Sequence, residues 1–277
     1  MQHHLADAKA LEANGIIAKG ERLYAEVHTA EAEREYLAAQ KTAATLNSAL
    51  CNTLNAETTY QPISSMFILS QIEDVDHFKQ LALNNNPQLR QVGLKKDLAV
   101  EGVRLQRADF APQVALMGGA SFYNYQVTPL MPRWAVGAGV SFKIFDGLNR
   151  EYKFSAAKSQ VRQVEALNVK AQHDILTLID KLYNEMTTYN EQLPSIDAAY
   201  NFAAEYLRIK EEAFKEGAAP SSDVVDAQLN LAKIKTERLQ AAYYYDLMLA
   251  RLLEACGESE MLTEYARRPA AMPIRYE

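Results

Sequence analysis

Long runs of strong helix formers, uninterrupted by glycine or proline, restrict the fold of this chain more than any other feature. Three such runs extend over Glu21 to Leu54, Asn149 to Tyr189 and Asp223 to Cys256. Helices of about 35 to 40 residues would be about 50 to 60 Å long, whereas helices in compact globular domains average about 11 to 12 residues. We therefore predict a mainly α protein of long antiparallel, coiled-coil-like helical hairpins. In the first run, apolar residues recur at the steps of three, four and seven that are typical of a coiled-coil seam: Leu23, Val27, Ala30, Leu37, Ala44 and Leu50.

Shorter elements are predicted between these runs. A capped helix from Asp76 to Leu83 is stopped by three asparagines, and the last of them, Asn86, is placed to cap a helix that begins at Pro87. Residues 55 to 74 lack a strong period and predict a connection. Pro194 predicts a kink or a break between the second and third long runs.

Composition and motifs exclude several classes of function. The 277 residues carry a formal net charge of −6, without the basic face expected of a nucleic-acid-binding protein. Apolar runs such as Val114 to Ala120 are far shorter than the ~20 residues of a transmembrane helix. Cys51 and Cys256 lack metal-site spacing, and no nucleotide or catalytic motif occurs, so we predict no cofactor, no metal and no enzyme activity. The scattered histidines are interpreted as surface or packing residues: His3, His4, His28, His77 and His173.

The pattern changes from helical to extended in residues 112 to 146. Every second residue from Trp134 onwards is apolar, while most of the residues between them are small or polar: Trp134, Val136, Ala138, Val140, Phe142 and Ile144. A weaker matching pattern ends in aromatic residues: Val114, Leu116, Gly118, Ala120, Phe122, Tyr123 and Tyr125. With a turn-rich stretch at 124 to 132 between them, the two patterns predict a β-hairpin. Such alternation is typical of one segment of a membrane β-barrel, and equally of a hairpin lying on a soluble core.

An internal repeat appears when the sequence is shifted by 202 positions. The shift places Gly15 on Gly217 and continues without a gap to Asn55 and Gly257. Within about forty positions, the identities at this shift include Gly15, Ala25, Ala30, Glu35, Leu37 and Ala39. Repeats of this size indicate duplicated units that pack side by side.

Several short motifs follow one another in the order found in TolC-like outer-membrane efflux proteins. They are Asn86-Pro87-Gln88-Leu89, Ala111-Pro112-Gln113, Phe142-Lys143-Ile144-Phe145-Asp146-Gly147, Phe214-Lys215-Glu216-Gly217, Asp223-Val224-Val225-Asp226-Ala227, and Ala250-Arg251-Leu252-Leu253-Glu254-Ala255-Cys256-Gly257. The chain resembles this family over essentially its whole length. Family members are homotrimers in which each protomer gives four strands to a shared twelve-stranded barrel and long helices to a periplasmic tunnel.

The resemblance implies a passive duct rather than a catalyst. It would be the outer-membrane channel of a tripartite efflux or type I secretion system, exporting drugs or proteins from the periplasm of a Gram-negative bacterium. Its partners would be a periplasmic adaptor protein, an inner-membrane pump and outer-membrane lipid, with no nucleic acid. The alternative is a soluble helical scaffold, which would bury Trp134, Val136, Val140 and Phe142 inside its own chain.

The resemblance also assigns roles to particular residues. Asp223 and Asp226 match an acidic ring at the tunnel mouth, although acids in a first helical turn also simply offset the helix dipole. Gly15 and Gly217 would be the tip turns that bind the adaptor, and Phe214 would be a gating aromatic or an ordinary packing residue. The lipid-facing residues of the hairpin would be Trp134, Val136, Val140 and Phe142, with Phe122 and Tyr123 as further aromatics of the barrel face. The tip segment 218 to 220 lacks the basic residue that some members carry there.

These assignments divide the chain into five segments. Residues 1–55 end the first repeat, 56–111 form a connection with short equatorial helices, and 112–146 form the barrel hairpin. Residues 147–257 form the long helical hairpin of the second repeat, followed by a tail at 258–277. Because the resemblance begins inside the family's first repeat, we expect a full-length parent that also carries a signal peptide, a first descending helix and a first β-hairpin.

Overall fold

The computed structural model describes residues 1–56, 58, 60, 63–120 and 134–274. These residues form two compact units. The first comprises residues 1–74, 180–253 and 259–277, and the second comprises residues 75–179 and 254–258. The predicted aromatic cluster of Phe122, Tyr123 and Tyr125 and the predicted turn at 124 to 132 lie outside the described residues. The five-segment division remains a prediction.

Two helical hairpins build most of the first unit. In one, α1 (Gln2–Ala13) folds back on α2 (Lys19–Thr53), and in the other the end of α5 (Asn149–Lys215) folds back on α6 (Ser221–Ala255). The side chain of Gln2 donates a hydrogen bond to Glu33 over 3.1 Å, and that of Arg22 donates to Glu12 over 2.6 Å. The start of α1 therefore lies beside the middle of α2 and its end beside the start of α2, so the two helices are antiparallel neighbours. The prediction of long helices in antiparallel hairpins is therefore confirmed.

The repeat found in the sequence is also a repeat of backbone structure. At the shift of 202 positions, the 35 residues of α2 coincide with the 35 residues of α6 from the first to the last. The residues that terminate the two helices, Asn55 and Gly257, both have positive φ angles, of 49° and 74°. The duplication thus extends to the way in which each long helix ends.

The predicted seam of α2 is not buried within the chain. The buried residues of α2 are Ala25 and Thr29, whereas the apolar side chains assigned to the seam are exposed: Leu23, Val27, Leu37 and Leu50. The 12 residues of α1 can lie along only about the first third of α2, which leaves Leu37 and Leu50 uncovered. Leu23 and Val27 lie in the part of α2 that α1 reaches, but each is two residues before a buried residue and therefore points to the opposite side of the helix. The seam assignment was therefore wrong about which face of α2 packs in this chain.

Helix α5 continues through Pro194, so the predicted break does not occur. Proline removes one helical hydrogen bond and costs about 3 kcal/mol in a helix interior. Helix α6 contacts α5 on both sides of this residue: Tyr189 stacks on Tyr244 at 5.5 Å between ring centroids, and Asp197 accepts a hydrogen bond from Arg238 at 2.7 Å. These contacts tie α5 to α6 before and after Pro194 and offset the local loss.

A small sheet in the first unit was not predicted. Strand β1 (Met66–Leu69) lies in the segment interpreted as a connection, and it pairs antiparallel with β4 (Ala271–Ile274), in register from Met66–Ile274 to Leu69–Ala271. Phe67, Ile68 and Leu69 are buried. The sequence predicted only the hairpin at 112 to 146, so this second pair of strands is a finding of the structure. A short 3-10 turn (Ser259–Met261) and α7 (Leu262–Ala266) precede β4.

The second unit contains α3 (Val75–Asn85), α4 (Pro87–Ala108), the hairpin of β2 (Gln113–Ala120) and β3 (Trp134–Ser141), and the beginning of α5. The predicted cap is confirmed: the Asn86 side-chain oxygen accepts a hydrogen bond from the Leu89 amide at 2.9 Å. The Asn86 side-chain nitrogen donates to the carbonyl of Ala255 at 2.7 Å, so one buried side chain also fixes the end of α6. Among the described residues, no helix is long and apolar enough to cross a membrane.

Candidate functional site: the helical tips and the exposed hairpin

The two predicted tip turns have the same hydrogen-bonding pattern. The Gly15 amide donates to the carbonyl of Glu12 and the Ile16 amide to that of Leu11, both at 2.9 Å. At the repeat-related positions, the amides of residues 217 and 218 donate to the carbonyls of residues 214 and 213 at 2.9 and 2.8 Å. This pattern is the Schellman motif, which needs a left-handed residue, and Gly15 and Gly217 have φ angles of 71° and 73°.

Side chains near the two turns differ in a systematic way. In the first tip Arg22 forms a 2.6 Å ion pair with Glu12 across the turn. The repeat-related residues in the second tip are Val224 and Phe214, which are both buried in one apolar cluster with Ala8 and Ala25. At this pair of positions the second tip therefore has apolar packing where the first tip has an ion pair.

The tips also pack against each other. The ring of His4 lies 4.6 Å from that of Phe214, and its Nε2 is 2.7 Å from the hydroxyl oxygen of Ser221. The Ser221 amide, at the start of α6, donates to the carboxylate of Glu21 at 2.6 Å. Burial lowers the pKa of His4 below its ordinary value. These contacts show Phe214 as a packing residue here, and its proposed gating role stays a prediction.

The predicted acidic pair lies beside these tips. Asp223 forms a 2.6 Å ion pair with Lys210, and this hydrogen bond raises the pKa of Lys210. Asp226, three residues further along α6, is exposed. The sequence did not indicate Lys210 as the partner of Asp223, because Lys210 lies thirteen positions before Asp223 and outside the tip segment 218 to 220. The structure places the two acids on the same part of α6, and their convergence in an assembly remains a proposal.

The hairpin carries an apolar face with no cover from the described part of the chain. Directly paired residues lie on the same face of a sheet, and the register pairs Val114 with Val140, Leu116 with Ala138, Gly118 with Val136 and Ala120 with Trp134. The alternating residues of both strands therefore form one continuous face. The exposed fractions of the four residues predicted to face lipid are 71% for Trp134, 72% for Val136, 70% for Val140 and 54% for Phe142. Phe142 lies just beyond the end of β3.

Comparison with known proteins decides the family. The family of outer membrane efflux proteins matches residues 79–258, which is more than half of the chain. The chain belongs to the outer membrane efflux protein family. The resemblance found in the sequence is thereby confirmed, as is the localisation of the family in the outer membrane of Gram-negative bacteria, with the helical part in the periplasm.

Individual members of the outer membrane efflux protein family are similar at low sequence identity. The outer membrane protein TolC of Vibrio cholerae is 24% identical over 173 residues, covering 61% of this chain and 39% of the relative. The structure of the outer membrane protein VceC of Vibrio cholerae matches with a TM-score of 0.72 at 18% identity, over 92% of this chain and 64% of that one. The MtrE outer membrane channel of Neisseria gonorrhoeae matches with a TM-score of 0.73 at 17% identity, over 93% and 61%.

These matches confirm the fold, and their coverage shows how much of each relative's length this chain spans. This efflux-family chain spans about two fifths of the curated relative and about three fifths of the two solved channels. The matched proteins are named as outer-membrane proteins and channels, and none is named as an enzyme.

One buried acid of this efflux-family chain was not found from the sequence. Asp246 on α6 accepts a hydrogen bond from the Phe67 amide at 3.2 Å, which ties β1 to the long helix. Its other carboxylate oxygen is buried without a hydrogen-bond partner among the described residues. Burial raises the pKa of Asp246 to about 7. Nothing in the local pattern of α6 distinguishes this aspartate, because its environment is made by strands from distant parts of the sequence.

Proposed function

We propose that this chain is part of a passive outer-membrane duct for efflux or type I secretion, acting without enzymatic chemistry. The observation that carries the proposal is the exposed apolar face of the β2–β3 hairpin. A soluble scaffold would bury Trp134, Val136, Val140 and Phe142 against its own core, and large exposed apolar patches mark surfaces that meet membranes or partners. Because the chain belongs to the outer membrane efflux protein family, we infer that membrane lipid covers this face.

The remaining features fit the same role in a trimeric parent. The tip turns at Gly15 and Gly217 would bind a periplasmic adaptor protein, which in turn recruits an inner-membrane pump. Support comes from the shared Schellman turns and from the mutual packing of the tips, which makes one pre-formed surface from two repeats. Asp223 and Asp226 would line the tunnel mouth, where three protomers would bring six carboxylates together.

The hairpin proposal can be tested through Trp134, which is the chain's only tryptophan. We expect its fluorescence to be quenched strongly when the full chain is reconstituted in vesicles of brominated phosphatidylcholine. The matched control moves the indole to the opposite face by combining Trp134→Phe with Ala135→Trp, because successive residues of a strand point to opposite faces. Little quenching is expected in the control. Equal quenching in both proteins, or none in either, would contradict a lipid-facing role.

A further inference from the structure

Positive charge is concentrated around the hairpin. Residues 102 to 164 contain eight basic residues and three acidic ones, in a chain with 29 basic and 35 acidic residues overall. The basic residues are Arg104, Arg107, Arg133, Lys143, Arg150, Lys153, Lys158 and Arg162, and the acidic ones are Asp109, Asp146 and Glu151. This segment therefore has a net charge of +5 while the remainder has −11. Such local asymmetry attracts anions although the whole protein is acidic.

Part of this charge borders a groove between α4 and α5. The groove has a volume of about 470 Å³ and is lined by Val100, Val103, Arg104, Ser155, Lys158, Val161 and Arg162. The three valines are half-buried and the three basic side chains are exposed. The described contacts of these bases lie within their own helices: Arg104 with Glu101, Lys158 over the Phe154 ring, and Arg162 with Ser159. The groove thus combines three apolar side chains with three cationic ones.

Contacts at both ends fix the width of the groove. Lys96 forms a 3.2 Å ion pair with Glu165 at one end. At the other end the rings of Phe110 and Phe154 lie 5.9 Å apart, and Arg150 lies over the Phe110 ring. Since these pairs bracket the lining residues in both helices, the groove is held open by the packing of the second unit.

We infer that this groove binds the head group of an anionic phospholipid. The inference rests on the proposed function, because the lipid would come from the membrane surface beside the inserted hairpin. Helix α4 ends at Ala108 and β2 begins at Gln113, so Arg104 lies about one helical turn before the end of α4 and nine residues before the strand. The phosphate would be bound by Arg104, Lys158 and Arg162, and the first carbons of the acyl chains would lie on Val100, Val103 and Val161. The valines favour a lipid over a soluble phosphate, because a soluble phosphate has no apolar part to bury.

Binding can be measured by calorimetric titration of the full chain, in a nonionic detergent, with dihexanoylphosphatidylglycerol. We expect saturable binding that weakens at least tenfold when Arg104, Lys158 and Arg162 are all replaced by Gln. The matched control replaces Lys9, Lys41 and Lys233 by Gln, which removes the same charge from exposed sites elsewhere and should change the affinity less than twofold. Val103→Gln should weaken binding severalfold with every cation in place.

Two further ligands identify what the groove recognises. Dihexanoylphosphatidylcholine should bind at least tenfold more weakly, and glycerol 3-phosphate should show no saturable binding. Equal affinity for the two lipids, equal losses in the two triple variants, or tighter binding of glycerol 3-phosphate would overturn the inference. Quenching of Trp134 in brominated vesicles is measured in the same variants. If the triple Gln variant loses phosphatidylglycerol binding but Trp134 is still quenched, the result supports the groove independently of the hairpin. If Trp134 is not quenched but phosphatidylglycerol still binds, the hairpin proposal alone is overturned.

Discussion

The Nε2 atom of His4 lies 2.7 Å from the hydroxyl oxygen of Ser221, and this buried contact joins the beginnings of α1 and α6, which are 217 positions apart in the sequence. Ser221 begins α6, and its amide donates to Glu21 of the first repeat. One short polar network therefore connects the ends of three helices. Buried polar atoms that lose a partner cost about 1–3 kcal/mol, so the packing of the tips depends on this network.

The first prediction concerns the pH dependence of that contact. Burial lowers the pKa of His4, so the folded state disfavours the protonated imidazole. The free energy of unfolding should therefore be highest above the ordinary pKa of 6.5 and should fall as the pH drops from there towards the lowered value. His4→Gln should reduce this loss, measured by urea unfolding between pH 8 and pH 5. His173→Gln, at an exposed position, is the control and should leave the pH profile unchanged. Identical profiles for His4→Gln and the wild type would refute the prediction.

The second prediction compares the two tip turns. Alanine at either glycine is strained, because left-handed backbone costs about 1–2 kcal/mol in a residue with a Cβ atom. A methyl group at Gly217 would also lie 3.1 Å from Cγ2 of Ile16, whereas at Gly15 it would meet nothing within 4 Å. Gly217→Ala should therefore lower the free energy of unfolding more than Gly15→Ala, in parallel thermal or urea unfolding. Removing the Cγ2 methyl group by Ile16→Ala should narrow the difference between the two losses in the free energy of unfolding.

The third prediction concerns Asp246. Its pKa is raised to about 7 by burial, so the folded state binds this proton more tightly than the unfolded chain does. The contribution of the protonated Asp246 carboxyl to the free energy of unfolding should be complete at and below the ordinary pKa of 3.8. It should be lost as the pH rises towards 7. Asp246→Asn keeps an acceptor for the Phe67 amide without the charge, and it should raise the free energy of unfolding at pH 8 by ~1 kcal/mol or more. At pH 5 the variant and the wild type should be closer in stability. A variant that is less stable than the wild type at pH 8 would show that the charged form is the one the fold prefers.

The fourth prediction tests the proposed acidic ring. In the trimeric parent, repulsion among the carboxylates of Asp223 and Asp226 would be relieved by a multivalent cation, which would also block the mouth. Replacing both by Ala should abolish block by a trivalent cation added on the periplasmic side in bilayer recordings. Lys210→Ala should instead strengthen the block, because Lys210 now neutralises Asp223. The matched control replaces Glu33 and Glu35 of α2 by Ala and should leave the block unchanged. Equal block in all four proteins would remove the ring assignment.

The sequence alone determined the elements whose cause is local. The lengths of α2 and α6 follow from their runs of helix formers. They also follow from the repeat, because the shift of 202 positions places the first and last residues of α2 on those of α6. The Asn86 cap before Pro87 and the alternation of the hairpin were predictable for the same reason, since each depends on residues within one turn or one strand.

Only the tertiary structure decided the contacts between distant residues. Strands β1 and β4 have four residues each and are more than 200 positions apart. Neither is long enough to carry a recognisable period, and each exists only through pairing with the other. The continuity of α5 through Pro194 depends on α6 lying along both sides of the proline. The burial of His4, the partner of Asp223 and the raised pKa of Asp246 likewise come from side chains that other elements bring together. Local propensity sets where a helix begins and ends, whereas packing, which acts across the whole chain, determines which of its residues become a site.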